Sequence, residues 1–242
     1  MKRRYAILAL SLLPVLLFTP GQRAVSASGN PAVAVSGDYK YVALTFDDGP
    51  RADTTSILLD GLRTRGARAT FFLIGEQIPG NEALLRRMAA EGHQIGNHTY
   101  SHAILEAASD NAVVEEIHKT EVLLNEVLGG GTYWLRPPYG MVDRSRISLI
   151  KTPMIFWSLD PEDWKVLDTA QVVESILESV QPGDIILLHD FYPTSVEAAL
   201  QVIDVLAPEG YVFVTVEELF DHYGTVPVLG ELYCNATTIR TW

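Results

Sequence analysis

The sequence predicts an α/β fold of about seven parallel strands, closed or nearly closed into a distorted (β/α) barrel within a single domain. Three observations predict it. From Tyr41 onward, short apolar runs alternate with amphipathic stretches almost to the end of the chain. At 242 residues the chain is long enough for one such barrel. Hydrophobic residues make up 48% and charged residues 20%, the balance of an ordinary folded domain rather than a disordered one. A doubly wound open sheet shows the same alternation, and periodicity alone does not separate the two.

Taken in order, Lys2, Arg3 and Arg4 precede an apolar run from Tyr5 to Phe18, and Ala24-Val25-Ser26-Ala27 offers small residues for cleavage. This reads as an export signal over 1–27, cleaved after Ala27. The run is shorter than the roughly 20 residues that span a bilayer, which favours cleavage over the alternative, a retained membrane anchor. Residues 28–38, rich in small residues, read as a linker. Candidate strands follow at Tyr41–Phe46, Ala69–Ile74, His93–Ile95, Tyr133–Arg136, Met154–Ser158, Asp184–Leu188 and Tyr211–Val214. The clearest helices are Asn111–Leu128, Thr169–Val180 and Ser195–Ala207. In the second of these, Val172, Val173, Ile176 and Val180 recur at helical spacing and form a core stripe. Residues 223–242 read as a C-terminal extension.

A formal net charge of −12 argues against a nucleic-acid partner, which needs clustered Lys and Arg. Cys234 is the only cysteine, so no internal disulfide can form and the core alone must hold the fold. Export without disulfides suits a bacterial surface.

Five polar clusters fall at the ends of these predicted strands, where α/β folds place their sites. In Thr45-Phe46-Asp47-Asp48-Gly49-Pro50, two adjacent carboxylates repel each other, and a metal ion is the simplest remedy; an ordinary surface turn is the plainer reading. His98 and His102, four apart, share one face if the segment is helical, and with one Asp they make a set of two imidazoles and a carboxylate with open positions. In Arg136-Pro137-Pro138-Tyr139-Gly140 the prolines stiffen the backbone and can preset the Tyr139 N–H toward a developing oxyanion. Arg136 can hold a carboxylate by a bidentate bond. Asp160-Pro161-Glu162-Asp163-Trp164 and Leu187-Leu188-His189 complete the set; His189 can serve as a general acid if Asp160 or Asp163 keeps it protonated. His93, His118 and His222 join no cluster and read as structural. Trp134 and Trp157 read as core.

Together, Thr-Phe-Asp-Asp-Gly-Pro, His-x-x-x-His, Arg-Pro-Pro-Tyr-Gly, Asp-x-x-Asp-Trp and Leu-x-His resemble, in order, the five motifs of the polysaccharide deacetylases (carbohydrate esterase family 4, the NodB homology domain). The resemblance covers residues 39–222. It departs at Ala103, where the family often has Pro, a position without a chemical role. The resemblance implies that Asp48, His98 and His102 are metal ligands, and that the ion is zinc, with cobalt as the alternative. It implies that Asp47 is the general base, His189 the general acid, Arg136 the residue orienting Asp47, and Asp163 the partner of His189. The Tyr139 N–H would meet the oxyanion, and Trp164 and Leu187 would line the pocket for the acetyl methyl. The implied reaction is metal-dependent hydrolysis of N-acetyl groups on a glycan such as peptidoglycan or a chitin-like polymer. An O-acetyl esterase of xylan type and a non-catalytic glycan-binding protein are the rivals. An acetylated polysaccharide is the expected partner, with no nucleic acid, no protein partner implied, and a membrane only if the signal is retained. The expected location is outside the cell or on its wall.

Overall fold

The structure, a computed structural model, describes residues 39–240. The expected signal (1–27) and linker (28–38) lie outside the described residues. In chain order the elements are β1 (Lys40–Asp47), α1 (Thr54–Arg65), β2 (Thr70–Leu73), α2 (Glu82–Ala90), β3 (Gln94–Asn97), α3 (Asp110–Leu128), β4 (Met154–Ile155), α4 (Asp163–Val166), α5 (Thr169–Ser179), β5 (Ile185–His189), α6 (Pro193–Leu206), β6 (Tyr211–Phe213), α7 (Val216–Tyr223) and β7 (Leu232–Tyr233).

The strands are parallel and β1 lies at their centre. It pairs with β5 along Ala43–Asp47, with β2 along Thr45–Asp47 and with β6 along Lys40–Val42. β3 extends the sheet beyond β2, and β4 pairs with β7. Single bridges complete the ring: Asn97 to Leu135, Leu135 to Met154, and Leu159 to Ile186. The path β1, β2, β3, Leu135, β4, Leu159, β5 therefore returns to β1. Closure through bridges rather than full ladders is the distortion of this barrel, and closure itself excludes the open sheet.

The expected strand Tyr133–Arg136 is reduced to the bridge at Leu135. Pro137 and Pro138 follow at once and supply no N–H to prolong a ladder. The three expected helices fall on α3, α5 and α6. The last begins earlier than expected, at Pro193, whose fixed φ suits a first helical position. The segment after His222 is more than an extension. Leu232 and Tyr233 are buried and paired with β4, and the Ala236 N–H donates to the Gly183 carbonyl. Two residues are too few for a strand to show its period in sequence.

Alternation along β1 sorts its side chains. Val42, Leu44 and Phe46 join the core cluster that also takes Leu58, Leu59 and Leu62 of α1 and Val172 and Ile176 of α5. Ala43 faces the other way, with Phe72, Ile155 and Ile185, so Thr45 and Asp47 share that inner face. On β5 the same parity puts Leu187 and His189 beside them, and Asp47 lies directly across from His189 in the register.

Candidate metal centre

Because the strands run the same way, their C-terminal ends share one mouth, and the polar motifs follow those ends. Asp48, His98 and His102 each offer a donor atom within 4.8 Å of the others. Asp48 Oδ1 lies 3.5 Å from His98 Nε2 and 3.4 Å from His102 Nε2. Two donors about 2.1 Å from one ion at a tetrahedral angle lie about 3.4 Å apart, so these separations suit a shared cation. That carboxylate oxygen is buried and has no hydrogen-bond partner among the described residues, an expensive state unless a cation faces it. The donor set fits a divalent metal.

The tautomers agree. His98 Nδ1 lies 2.7 Å from the Arg136 carbonyl oxygen. A carbonyl only accepts, so Nδ1 carries the proton and Nε2 presents its lone pair to the centre. Burial and the neighbouring His98 push the His102 imidazole down, which favours the neutral form a ligand needs.

The two histidines meet without a helix. Thr99 and His102 adopt left-handed φ of 66° and 58°, and the turn is built by side chains instead. Asn97 Oδ1 accepts the Thr99 N–H while its Nδ2 donates to the Ile117 carbonyl. Glu116 of α3 accepts the N–H groups of Tyr100 and Ser101 at 3.0 and 2.8 Å and the Ser101 hydroxyl at 2.9 Å. Asp48 is left-handed as well, at φ 71°. Such conformations persist only where the surroundings over-determine them.

Asp47 is buried beside the donors, its Oδ2 3.6 Å from His98 Nε2. Arg136 reaches it from the fully buried floor of the cleft. Its Nη1 donates to Asp47 Oδ1 at 2.8 Å and to Thr45 Oγ1 at 2.7 Å, Nη2 to the Phe156 carbonyl and Nε to the Ile155 carbonyl. The grip on Asp47 is single rather than the bidentate one expected, because the rest of the fork is spent on the backbone carbonyls around β4. The guanidinium also lies 4.1 Å from the Phe72 ring centre. Burial pulls its pKa below the usual value against the opposing pull of Asp47.

The choice between Asp160 and Asp163 falls to Asp163. Its Oδ1 lies 2.8 Å from His189 Nδ1, and its Oδ2 accepts the His189 N–H at 2.8 Å. Burial alone pushes the His189 imidazole down. The hydrogen bond and charge of Asp163, with Asp47 and Asp48 adding, overcome this and raise it to about 9.

A cleft of about 540 Å³ joins these groups, lined by Asp47, Asp48, His98, His102, Tyr139 and His189. Trp157, Asp160, Trp164, Leu187 and Tyr192 form the rest of its wall. Trp157, expected in the core, is half-buried: it packs against the cluster around Ile155 and Phe220, stacks on Phe156 at 3.9 Å and also lines the cleft. In the Pro-rich turn, Tyr139 has φ 58°; Gly140 and Met141 donate to the Pro137 and Pro138 carbonyls, while no protein acceptor takes the Tyr139 N–H among the described residues. Arg240 in the tail donates to the Gly140 carbonyl and stacks over Phe156, bracing this turn from a segment that carries no motif. His93, read as structural, is buried and accepts the Ala69 N–H at Nδ1.

Fold and donor set together define a closed (β/α) barrel with a three-ligand candidate metal site at its mouth. The polysaccharide deacetylase family model matches residues 34–152. The peptidoglycan-N-acetylglucosamine deacetylase PgdA of Listeria monocytogenes is 36% identical over 210 residues, covering 87% of this chain and 44% of its own length. A peptidoglycan-N-acetylglucosamine deacetylase of Bacillus cereus is 37% identical over 198 residues, covering 78% of this chain and 72% of its own. Among solved structures, a family 4 acetyl xylan esterase from Clostridium thermocellum in complex with a cobalt ion superposes with a TM-score of 0.78 at 31% identity, covering 82% of this chain and all of its own. The chain belongs to the polysaccharide deacetylase family. It spans less than half the length of the Listeria relative.

Proposed function

We propose that this chain is an exported, metal-dependent deacetylase that hydrolyses N-acetyl groups of amino sugars in a cell-wall glycan, peptidoglycan first. The observation that carries the reading is the orphaned Asp48 oxygen facing two imidazole Nε2 atoms, with a carboxylate and a charged imidazole beside it in one cleft. Asp48, His98 and His102 would hold the ion, and zinc suits two imidazoles and one carboxylate. When bound, such a cation lowers the pKa of water to about 7 and polarises the acyl oxygen.

The protein's own groups divide the remaining work. Asp47, with one oxygen held by Arg136, keeps the other to accept the proton of the attacking water. The Tyr139 N–H is free to donate to the oxyanion as it develops. His189, kept charged by Asp163, gives its proton to the departing amine, a leaving group too basic to go alone. Leu187 and Trp164 offer an apolar wall to the acetyl methyl. The export segment 1–27 and linker 28–38 would deliver the domain to the cell surface.

An O-acetyl esterase is the competing reading, favoured by the likeness to the xylan esterase. Acetate release by the purified protein from N-acetylglucosamine oligomers, peptidoglycan and acetylated xylan decides between them. Release from the N-acetyl substrates, lost on chelation and restored by zinc or cobalt, is expected. Release from xylan alone moves the assignment to the ester, and binding without release refutes hydrolysis.

A further inference from the structure

Directly after His189 the chain buries a second acid. Asp190 is wholly inaccessible and forms no ion pair among the described residues. Among the described residues its side chain has one hydrogen-bond partner, the Thr55 hydroxyl, which donates to Oδ2. The same Thr55 oxygen accepts the Arg51 N–H at 2.8 Å, so it joins Asp190 to the loop between β1 and α1. The other carboxyl oxygen, Oδ1, is buried without a partner among the described residues. It fills the space a side chain at residue 49 would occupy. A Cβ on Gly49 would stand 2.6 Å from Oδ1 and 2.7 Å from Oδ2, so glycine there is demanded by the carboxyl itself. One residue on, the Phe191 ring lies 4.0 Å from the Arg51 guanidinium.

An incompletely satisfied buried carboxyl lowers stability, and an apolar residue of similar size would fill the space without that penalty. Its presence is explained by what it grips. All three contacts run from the end of β5 to residues 49–55, immediately beyond Asp48 with its left-handed φ of 71°. We propose that Asp190 and Thr55 form a clamp that positions Asp48, tying the ligand-bearing turn after β1 to the strand that carries His189. The inference rests on Asp48, His98 and His102 being the metal ligands. Neither clamp residue touches substrate; both act through the placement of Asp48, where misplacement by a fraction of an ångström weakens a metal site.

The test uses the full domain and reads zinc affinity by competition with a chromophoric chelator, beside kcat, KM and the melting temperature. Asp190→Ala and Thr55→Val should weaken zinc binding about 10-fold or more, the usual effect of losing a group that orients a ligand. They should lower kcat while KM changes little. Asp190→Asn and Thr55→Ser, which keep an acceptor and a hydroxyl, should recover most of both. Thr55→Val conserves volume and decides the matter if Asp190→Ala does not fold. Zinc binding by the parent and its loss in His98→Ala establish the ligand set separately. Given that, clamp variants that melt earlier but bind zinc like the parent overturn the clamp alone. Asp190→Asn as impaired as Asp190→Ala also overturns it. A parent that binds no zinc overturns both the ligand set and the clamp.

Discussion

Replacing Asp163 by Asn isolates the charge that holds His189 in its acid form. Asp163 is wholly buried and spends both oxygens on His189, one on Nδ1 and one on the backbone N–H. An amide can accept only one of these bonds and turns its NH₂ toward the other donor. The negative charge is gone while the burial that pushes His189 down remains, so its pKa falls from about 9 to its ordinary 6.5 or lower. A cation at Asp48 offsets the pull of Asp47 and Asp48, which leaves Asp163 as the principal support of the charged form. With the metal-free value of about 9, the protonated fraction at pH 8 drops from about 90% to about 3%, and a cation that offsets Asp47 and Asp48 makes the loss of competent acid smaller than about 30-fold. At pH 6 the two proteins differ by less than about twofold on the same basis. The pH profile of acetate release should keep its acidic limb and move its alkaline limb to lower pH, with bound metal unchanged. The sign for stability follows. A histidine with a raised folded-state pKa contributes stability that is complete below 6.5 and lost as the pH rises through about 9. In the metal-free protein this amounts to about 3 kcal/mol, and Asp163→Asn should abolish that slope in the melting temperature. An alkaline limb unmoved in Asp163→Asn would refute the role of the pair.

Other variants separate the parts of the site. His98→Ala and Asp48→Asn should lose metal through gel filtration, whereas His189→Ala should retain it and release acetate about 100-fold more slowly or worse. Equal metal loss in all three would contradict the division of roles. Glu116→Ala should leave the backbone N–H groups of Tyr100 and Ser101 unheld and weaken metal affinity about 10-fold, read by chelator competition, because His102 rides on that turn. Arg136→Ala strips the buried Asp47 of its partner and should cost about 3–5 kcal/mol in denaturant unfolding.

The candidate ligands were legible because they follow apolar runs closely in sequence. Asp47 and Asp48 end one run, His98 follows another and His189 closes a third, so strand ends could be read from local pattern alone. What holds these residues in place was not legible, since it comes from elsewhere in the chain. Glu116 lies on α3 among charged neighbours that look solvated, and nothing in its spacing marks it as the anchor of the His102 turn. Arg240 braces the Tyr139 turn from a hundred residues away. The barrel closes through isolated bridges at Leu135 and Leu159, which carry no period. Trp157 both packs against the core and lines the cleft, a double role that an aromatic inside an apolar run does not reveal in sequence.

The residues that must aim most accurately also carry strain. Asp48, Thr99, His102 and Tyr139 all have positive φ without being glycine, and all lie in the loops around one mouth. Glu116 and Asn97 hold the Thr99–His102 turn and Arg240 holds the Tyr139 turn, all through hydrogen bonds that require no metal. The centre is thus built before an ion arrives, except for the repulsion of Asp47 from Asp48 and the orphaned Asp48 oxygen, which only a cation relieves. Metal should therefore raise stability without reshaping the fold. At a free concentration 100 times the dissociation constant, the gain is about 2.7 kcal/mol. For a domain of this size that corresponds to a rise of about 5–10 °C in melting temperature. Zinc should deliver this rise in the parent and not in Asp48→Asn, with unchanged far-ultraviolet circular dichroism in both. A large gain in helicity on adding zinc would mean that the ion organises the site, and the prebuilt centre would be wrong.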